Sequence, residues 1–178
     1  EIAALNVTLS GRQRLLILEG PTPTETETGD PVAYYGNFGN TTDDFRFISI
    51  AGVDIDGDGV DEIAALNRMQ SDKQRLLIFH APTPTGNETA DPIAYYGNFG
   101  NATDDFRFVS IAGVDIDGDG DDEVVALNRM QSDKQRLLVF HAPTPNGNET
   151  PDPIAYDASF GSANSDDAVI DITRLRHW

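Results

Sequence analysis

The chain carries an acidic segment of nine residues twice, at residues 54–62 and 115–123. In each copy acidic side chains stand at positions 1, 3, 5 and 9, and glycines at positions 4 and 6 permit the tight curl that brings the carboxylates together. With the backbone carbonyl of position 7, these groups supply the six or seven oxygen ligands that Ca²⁺ prefers, whereas Mg²⁺ demands a stricter octahedron. The predicted ligands are Asp54, Asp56, Asp58, Val60 and Glu62 in the first copy, and Asp115, Asp117, Asp119, Asp121 and Glu123 in the second.

A turn without a metal is the simplest alternative for this segment. Four or five carboxylates within nine residues repel one another, however, and a bound cation would offset that repulsion. The segment is not an EF-hand loop, because its closing acid stands at position 9 instead of 12 and a strand-like stretch follows it. We therefore expect Ca²⁺ at both segments, with the position-8 side chains of Asp61 and Asp122 directed to solvent.

A repeat of 61 residues organises the chain. Glu1–Asn6 recurs at 62–67 and, with two substitutions, at 123–128, while Tyr34–Gly39 recurs at 95–100. Internal repeats of this kind are typical of arrays in which one structural unit is stacked on the next. Each repeat is therefore expected to form one unit of a larger structure.

Each complete repeat contains four short stretches rich in Ile, Leu, Val, Phe and Tyr, bounded by Gly, Pro, Asn or Asp. Apolar residues fall on both alternating faces, which predicts strands sandwiched between neighbouring sheets, and no long stretch has the 3.6-residue period of a helix. In the second repeat the predicted strands are Phe45–Val53, Glu62–Asn67, Arg75–His80 and Pro92–Phe99, and the predicted surface loops are Ala81–Asp91 and Gly97–Asp104.

Four strands in each tandem repeat predict an all-β fold made of β-propeller blades, each with four antiparallel strands; a β-solenoid is the alternative. The chain is expected to be a single repeat domain of about three repeats, with blades split across the termini. The expected divisions are residues 1–41, a partial blade without its first strand; 42–102 and 103–164, blades with calcium loops; and 165–178, a divergent terminal strand.

Three blades are too few for a propeller ring, which usually has four to eight. One hypothesis is that the terminal strand of one copy completes the first blade of another, giving a six-bladed dimer or a head-to-tail chain. The alternative is that the chain belongs to a larger propeller. The expected partners are therefore other copies of the chain or the rest of a larger propeller, together with glycans or extracellular proteins.

The acidic segment, followed by a short apolar strand, resembles the FG-GAP/VCBS repeats that form the integrin α-subunit propeller. The Phe-Gly pairs at 38–39, 99–100 and 160–161 fit the same pattern. The chain departs from it after the acidic segment, where Ala-Leu-Asn stands in place of Gly-Ala-Pro. The resemblance implies a propeller with calcium in its blade loops but no single activity, since such propellers serve in adhesion, in lectins and as enzyme accessory domains.

The formal net charge of −18 indicates a surface that repels nucleic acid and anionic membranes and attracts cations. Adaptation to high salt is the competing explanation for the acidic residues outside the two segments. No stretch approaches the roughly 20 apolar residues that span a bilayer. The chain has no cysteine, which excludes disulfides and cysteine-ligated metals.

No motif for catalysis stands out, so we expect a protein that is not an enzyme. There is no serine or cysteine nucleophile motif, no phosphate-binding loop and no HExxH zinc motif. His80 and His141 are repeat equivalents that Glu19 replaces in the first repeat, and we predict structural roles for them. The tyrosine pairs at 34–35 and 95–96 could stack on sugar rings, but core packing is the preferred interpretation.

Five Asn-x-Thr sequences are candidate N-glycosylation sites, and all but the first fall in predicted surface loops. Together with the calcium loops they predict a secreted or cell-surface, non-enzymatic, calcium-binding glycoprotein, acting in adhesion or as a structural unit of an extracellular assembly or fibril. The alternatives are a carbohydrate-binding lectin and an accessory domain of a larger extracellular enzyme. The five asparagines are Asn6, Asn40, Asn87, Asn101 and Asn148.

Overall fold

The computed structural model describes residues 2–19, 31–41, 44–82, 91–101, 106–130, 134–143, 151–162, 169 and 171–173. Within these residues the chain forms strands and no helix, so no helix there could cross a membrane. The strands are β1 (Ile2–Val7), β2 (Arg12–Leu18), β3 (Ala33–Asn40), β4 (Arg46–Val53), β5 (Glu62–Arg68), β6 (Lys73–Phe79), β7 (Ala94–Asn101), β8 (Arg107–Val114), β9 (Glu123–Arg129), β10 (Lys134–Phe140) and β11 (Ala155–Ser162).

The strands form three antiparallel sheets in which each strand pairs with its neighbour in sequence. The first sheet has the order β1-β2-β3, the second β4-β5-β6-β7 and the third β8-β9-β10-β11. The predicted all-β class, with one sheet of up to four antiparallel strands per repeat, is confirmed. Among the described strands the three sheets remain separate and form no closed ring or barrel.

The four strands predicted in the second repeat correspond to β4–β7, with ends displaced by no more than two residues. The prediction of a loop at Gly97–Asp104 is wrong in its first half, because β7 continues to Asn101. A bulge in β7 shifts the register, because the four steps from Tyr96 to Gly100 lie opposite only two steps of β6. Beyond the bulge Gln74 pairs with Gly100 and the ladder continues to Asn101. Most of the predicted loop Ala81–Asp91 lies outside the described residues.

The central sheet is buried on both faces, as the sequence predicted. Successive residues of a strand point to opposite sides of the sheet. In β5, Ile63 and Ala65 therefore join the core shared with the first sheet, whereas Ala64 and Leu66 join the core shared with the third. Each core contains three phenylalanines at equivalent repeat positions: Phe38, Phe47 and Phe79 in the first, and Phe99, Phe108 and Phe140 in the second.

A buried glutamine amide joins each repeat to the first strand of the next. The Gln13 side chain donates to the Phe47 carbonyl over 2.8 Å and accepts from the Phe47 N–H over 2.7 Å. Gln74 makes the same pair of bonds with Phe108, both 2.8 Å long. The third copy, Gln135, pairs in this way with Val169. Residue 169 therefore occupies, relative to the third sheet, the position that Phe108 occupies relative to the second.

Tyrosine and serine side chains also make hydrogen bonds across the boundaries between repeats. The Tyr35 hydroxyl donates to the His80 carbonyl over 3.0 Å, and Tyr96 donates to the His141 carbonyl over 3.1 Å. Both tyrosines are buried in the cores. The prediction of core packing is therefore confirmed for the second tyrosine of each Tyr-Tyr pair. Ser49 accepts from the Ile111 N–H over 3.2 Å, so the first strands of the second and third sheets are also tied together.

Candidate metal centre

Each acidic segment is the loop between the first two strands of a sheet. Residues 54–61 connect β4 to β5, and residues 115–122 connect β8 to β9. Gly57 and Gly59 have φ of 69° and 84°, and Gly118 and Gly120 have φ of 83° and 103°. A side chain would strain these conformations, so the four glycines allow the tight curl of each loop that the sequence predicted.

The curl brings the carboxylates of positions 1, 3 and 5 together in both loops. One oxygen from each of Asp54, Asp56 and Asp58 lies within 4.8 Å of the others. The second loop forms the equivalent group from Asp115, Asp117 and Asp119. Carboxylate oxygens gathered around one point are the type of ligand that Ca²⁺ prefers.

Hydrogen bonds from the loop backbone orient these carboxylates. In the first loop Asp54 Oδ2 accepts from the Gly59 N–H over 2.8 Å, and Asp58 Oδ1 accepts from the Val60 N–H over 2.8 Å. Asp54 is buried, and its other oxygen, Oδ1, has no hydrogen-bond partner among the described residues. A buried carboxylate oxygen without a partner is costly, and a cation is the group that best satisfies it.

The closing glutamates lie beside these groups but do not belong to them. Glu62 Oε2 accepts from the Ile55 N–H over 3.4 Å, and its Oε1 is 3.9 Å from His80 Nδ1. Glu123 makes the same two contacts, with Ile116 over 3.1 Å and with His141 over 3.9 Å. The structure thus brings positions 1, 3 and 5 together and leaves position 9 bonded to the loop backbone. At position 7 of the first loop, the Val60 side chain is exposed.

Burial, and then the charge of the first loop, disfavour an ionised Glu62. Burial raises the pKa of Glu62, and the carboxylates of Asp56 and Asp58 raise it further, against lowering by the Ile55 N–H and by His80. A carboxyl with a raised folded-state pKa stabilises the fold while protonated and loses that contribution as the pH rises through this pKa. At neutral pH a bound cation would offset the repulsion.

The two position-8 aspartates differ, contrary to the prediction that both face solvent. Asp61 is exposed, as predicted, but Asp122 is only 3% exposed. Asp122 Oδ2 accepts from the Asp54 N–H over 3.0 Å, and the Asp122 N–H donates to the Asp54 carbonyl over 2.6 Å. The prediction fails for Asp122 because the preceding repeat covers this side of the second loop, which the nine-residue pattern alone does not indicate.

The candidate glycosylation sites fall into three groups. Asn6 is exposed in β1. Asn40 and Asn101, predicted to lie in loops, are instead the half-buried last residues of β3 and β7. Asn87 and Asn148 lie outside the described residues.

Comparison with known proteins assigns no family to the chain. No protein-family model matches it, and no curated protein matches it in sequence. The resemblance to FG-GAP/VCBS repeats therefore stays a prediction from the motif. What can be said of function depends on the residues and contacts of the chain itself.

Proposed function

We propose that the protein is a non-enzymatic calcium-binding protein in which Ca²⁺ fixes the loops between the first two strands of successive propeller blades. The observation that carries the proposal is the buried Asp54 carboxylate, which belongs to a cluster of three carboxylates and whose Oδ1 has no hydrogen-bond partner among the described residues. A second cluster with the same spacing stands 61 residues further on. A single acidic cluster is common on surfaces, but the repetition and the buried oxygen favour a metal.

The cation would offset the negative charge of each loop and make the loop rigid, and it would take part in no chemical reaction. The carboxylates of Asp54, Asp56 and Asp58, and those of their equivalents in the second loop, would hold it. The position-7 carbonyls and the closing glutamates complete the proposed ligand sets. Calcium accepts such flexible oxygen coordination more readily than magnesium does.

The biological role we propose is adhesion, or service as a structural unit of an extracellular assembly or fibril. Its support is the stacking of equivalent sheets, in which β4 packs against β8 and the same side-chain bonds recur at successive boundaries. Propeller blades of the FG-GAP/VCBS type are built from four-stranded meanders of this kind. Partners are other copies of the chain, joined by strand exchange, or the rest of a larger propeller. Secretion and glycosylation belong to the same proposal.

Isothermal titration of the metal-free chain with Ca²⁺ tests the proposal. We expect two ions per chain, and one ion after either Asp58→Ala or Asp119→Ala, because each substitution removes one of the three clustered carboxylates of one loop. Asp91→Ala is the matched control, since it removes an exposed carboxylate outside both loops and should leave two ions bound. Absence of binding, or two ions in both loop variants, would contradict the proposal.

A cavity between the first two sheets favours carbohydrate binding as the second candidate function. It has a volume of about 620 Å³ and is lined by Arg12, Arg75, Phe45, Tyr95 and Asn37, among others. The Arg75 guanidinium lies 5.3 Å from the centre of the half-exposed Phe45 ring. Aromatic faces beside guanidinium and amide donors suit a sugar that carries a carboxylate.

Binding of oligogalacturonate, measured by titration with calcium present, tests this second function. We expect Arg12→Ala to weaken binding about tenfold, as loss of a charge-assisted hydrogen bond would. Arg14→Ala removes the same charge from an exposed position that does not line the cavity, and should change little. Equal binding of a neutral oligosaccharide, or equal loss in the two variants, would sink the idea.

A further inference from the structure

The end of the second acidic loop is fixed to the start of the first. The paired bonds between Asp122 and Asp54 form a bridge of backbone and carboxylate across the boundary between the two repeats. Both residues are buried, with 3% and 8% of their surfaces exposed. The residue immediately before this bridge is Asp121, whose position is therefore determined relative to the first loop as well as its own.

The Asp121 carboxylate extends over the first loop. A Cβ atom added to Gly57 would lie 2.5 Å from Asp121 Oδ1 and 3.6 Å from the Gly120 carbonyl carbon, so Gly57 leaves the room that this carboxylate occupies. Gly57 lies between Asp56 and Asp58, two members of the first cluster. Position 7 of the first loop itself is occupied by Val60, which has no carboxylate to offer.

The charges near Asp121 agree with this placement. Two carboxylates of the first loop, those of Asp54 and Asp56, are among the charges that act on Asp121. Like charges brought together in this way repel one another, and a cation between them would offset the repulsion.

We infer that the Asp121 carboxylate is a ligand, supplied by the next repeat, of the cation held by the first loop. The inference depends on the proposed calcium function and assigns Asp121 a second role besides its backbone carbonyl in its own loop. The first site would then consist of residues from two repeats, and its cation would join them. Asp54, whose buried Oδ1 has no hydrogen-bond partner in the described structure, belongs to the same cluster.

The test uses the full chain with its second site silenced by Asp117→Ala and Asp119→Ala, so that only the first loop binds Ca²⁺. In this background we expect Asp121→Val to weaken calcium binding about tenfold or more, since one charged ligand is lost. Asp121→Asn keeps the shape and an oxygen ligand, and should give a smaller loss. Asp61→Val is the matched control: it removes the same charge from the first loop's own exposed position 8, and should change affinity by less than about threefold.

A second measurement reports on the joint between the repeats. With calcium bound, hydrogen exchange at the backbone amides of Asp54 and Asp122 should be faster in Asp121→Val than in the parent background. Unchanged calcium affinity in Asp121→Val would overturn the inference while leaving the proposed function in place, as would equal losses in Asp121→Val and Asp61→Val. If the silenced background bound no calcium, the proposed function itself would fail, and the inference with it.

Discussion

Calcium is expected to raise the melting temperature of the metal-free protein by roughly 5 to 10 °C for each occupied site. A ligand that binds only the folded state at 100 times its dissociation constant stabilises it by about 2.7 kcal/mol. In a chain of this size each kcal/mol corresponds to about 2–4 °C. The loops should respond strongly because each gathers three carboxylates, and in the first loop one carboxylate oxygen is buried with no hydrogen-bond partner among the described residues.

Circular dichroism melts with EDTA, with excess Ca²⁺ and with Mg²⁺ would measure this effect. The control is sodium chloride at matched ionic strength, because screening alone relieves part of the self-repulsion of a chain with a net charge of −18. Asp58→Ala combined with Asp119→Ala should abolish the response to calcium. A transition that is the same in EDTA and in calcium would count against both sites.

Replacing Gln74 by leucine is expected to lower the free energy of unfolding by about 2–5 kcal/mol. Leucine fills a similar volume but leaves the N–H and the carbonyl of Phe108 without partners in the core. Each buried polar group left in this state costs about 1–3 kcal/mol. The site cannot recruit water easily, because Gln74 is 1% exposed and Phe108 is fully buried.

Urea denaturation followed by circular dichroism would measure the loss. Gln70→Leu is the matched control, because Gln70 is an exposed residue that precedes the same strand, and surface substitutions usually change stability by no more than about 0.5 kcal/mol. If Gln74→Leu were as mild as Gln70→Leu, the amide would not be holding the repeats together.

The sequence was informative where a local pattern determines the outcome. The strands of the second repeat follow from short runs that are apolar on both faces, such as Ile63–Leu66, whose residues are buried alternately in the two cores. The curl of each acidic loop follows from glycines whose positive φ is a property of the residue itself. These features need no knowledge of what lies across the sheet.

Features that depend on a neighbouring repeat were missed or mistaken. Gln74 reads as an ordinary polar residue between Lys73 and Arg75, and only its partner 34 residues away explains its burial. Recurrence of the same glutamine at 13 and 135 was the one signal that could have revealed it. Asp122 was misjudged for the same reason, since the pattern of one loop does not show that the next loop covers it.

The glutamine bonds also have a consequence for how the molecule could change in length. Each repeat presents the same glutamine amide (Gln13, Gln74 or Gln135) to the repeat that follows, which offers one backbone N–H and one carbonyl in return. Insertion or deletion of one 61-residue unit would thus preserve every junction. Stability in such an array depends on nearest-neighbour coupling, so each added unit contributes its own folding free energy and one more junction. Gene duplication within the chain would then lengthen it without requiring a new type of contact.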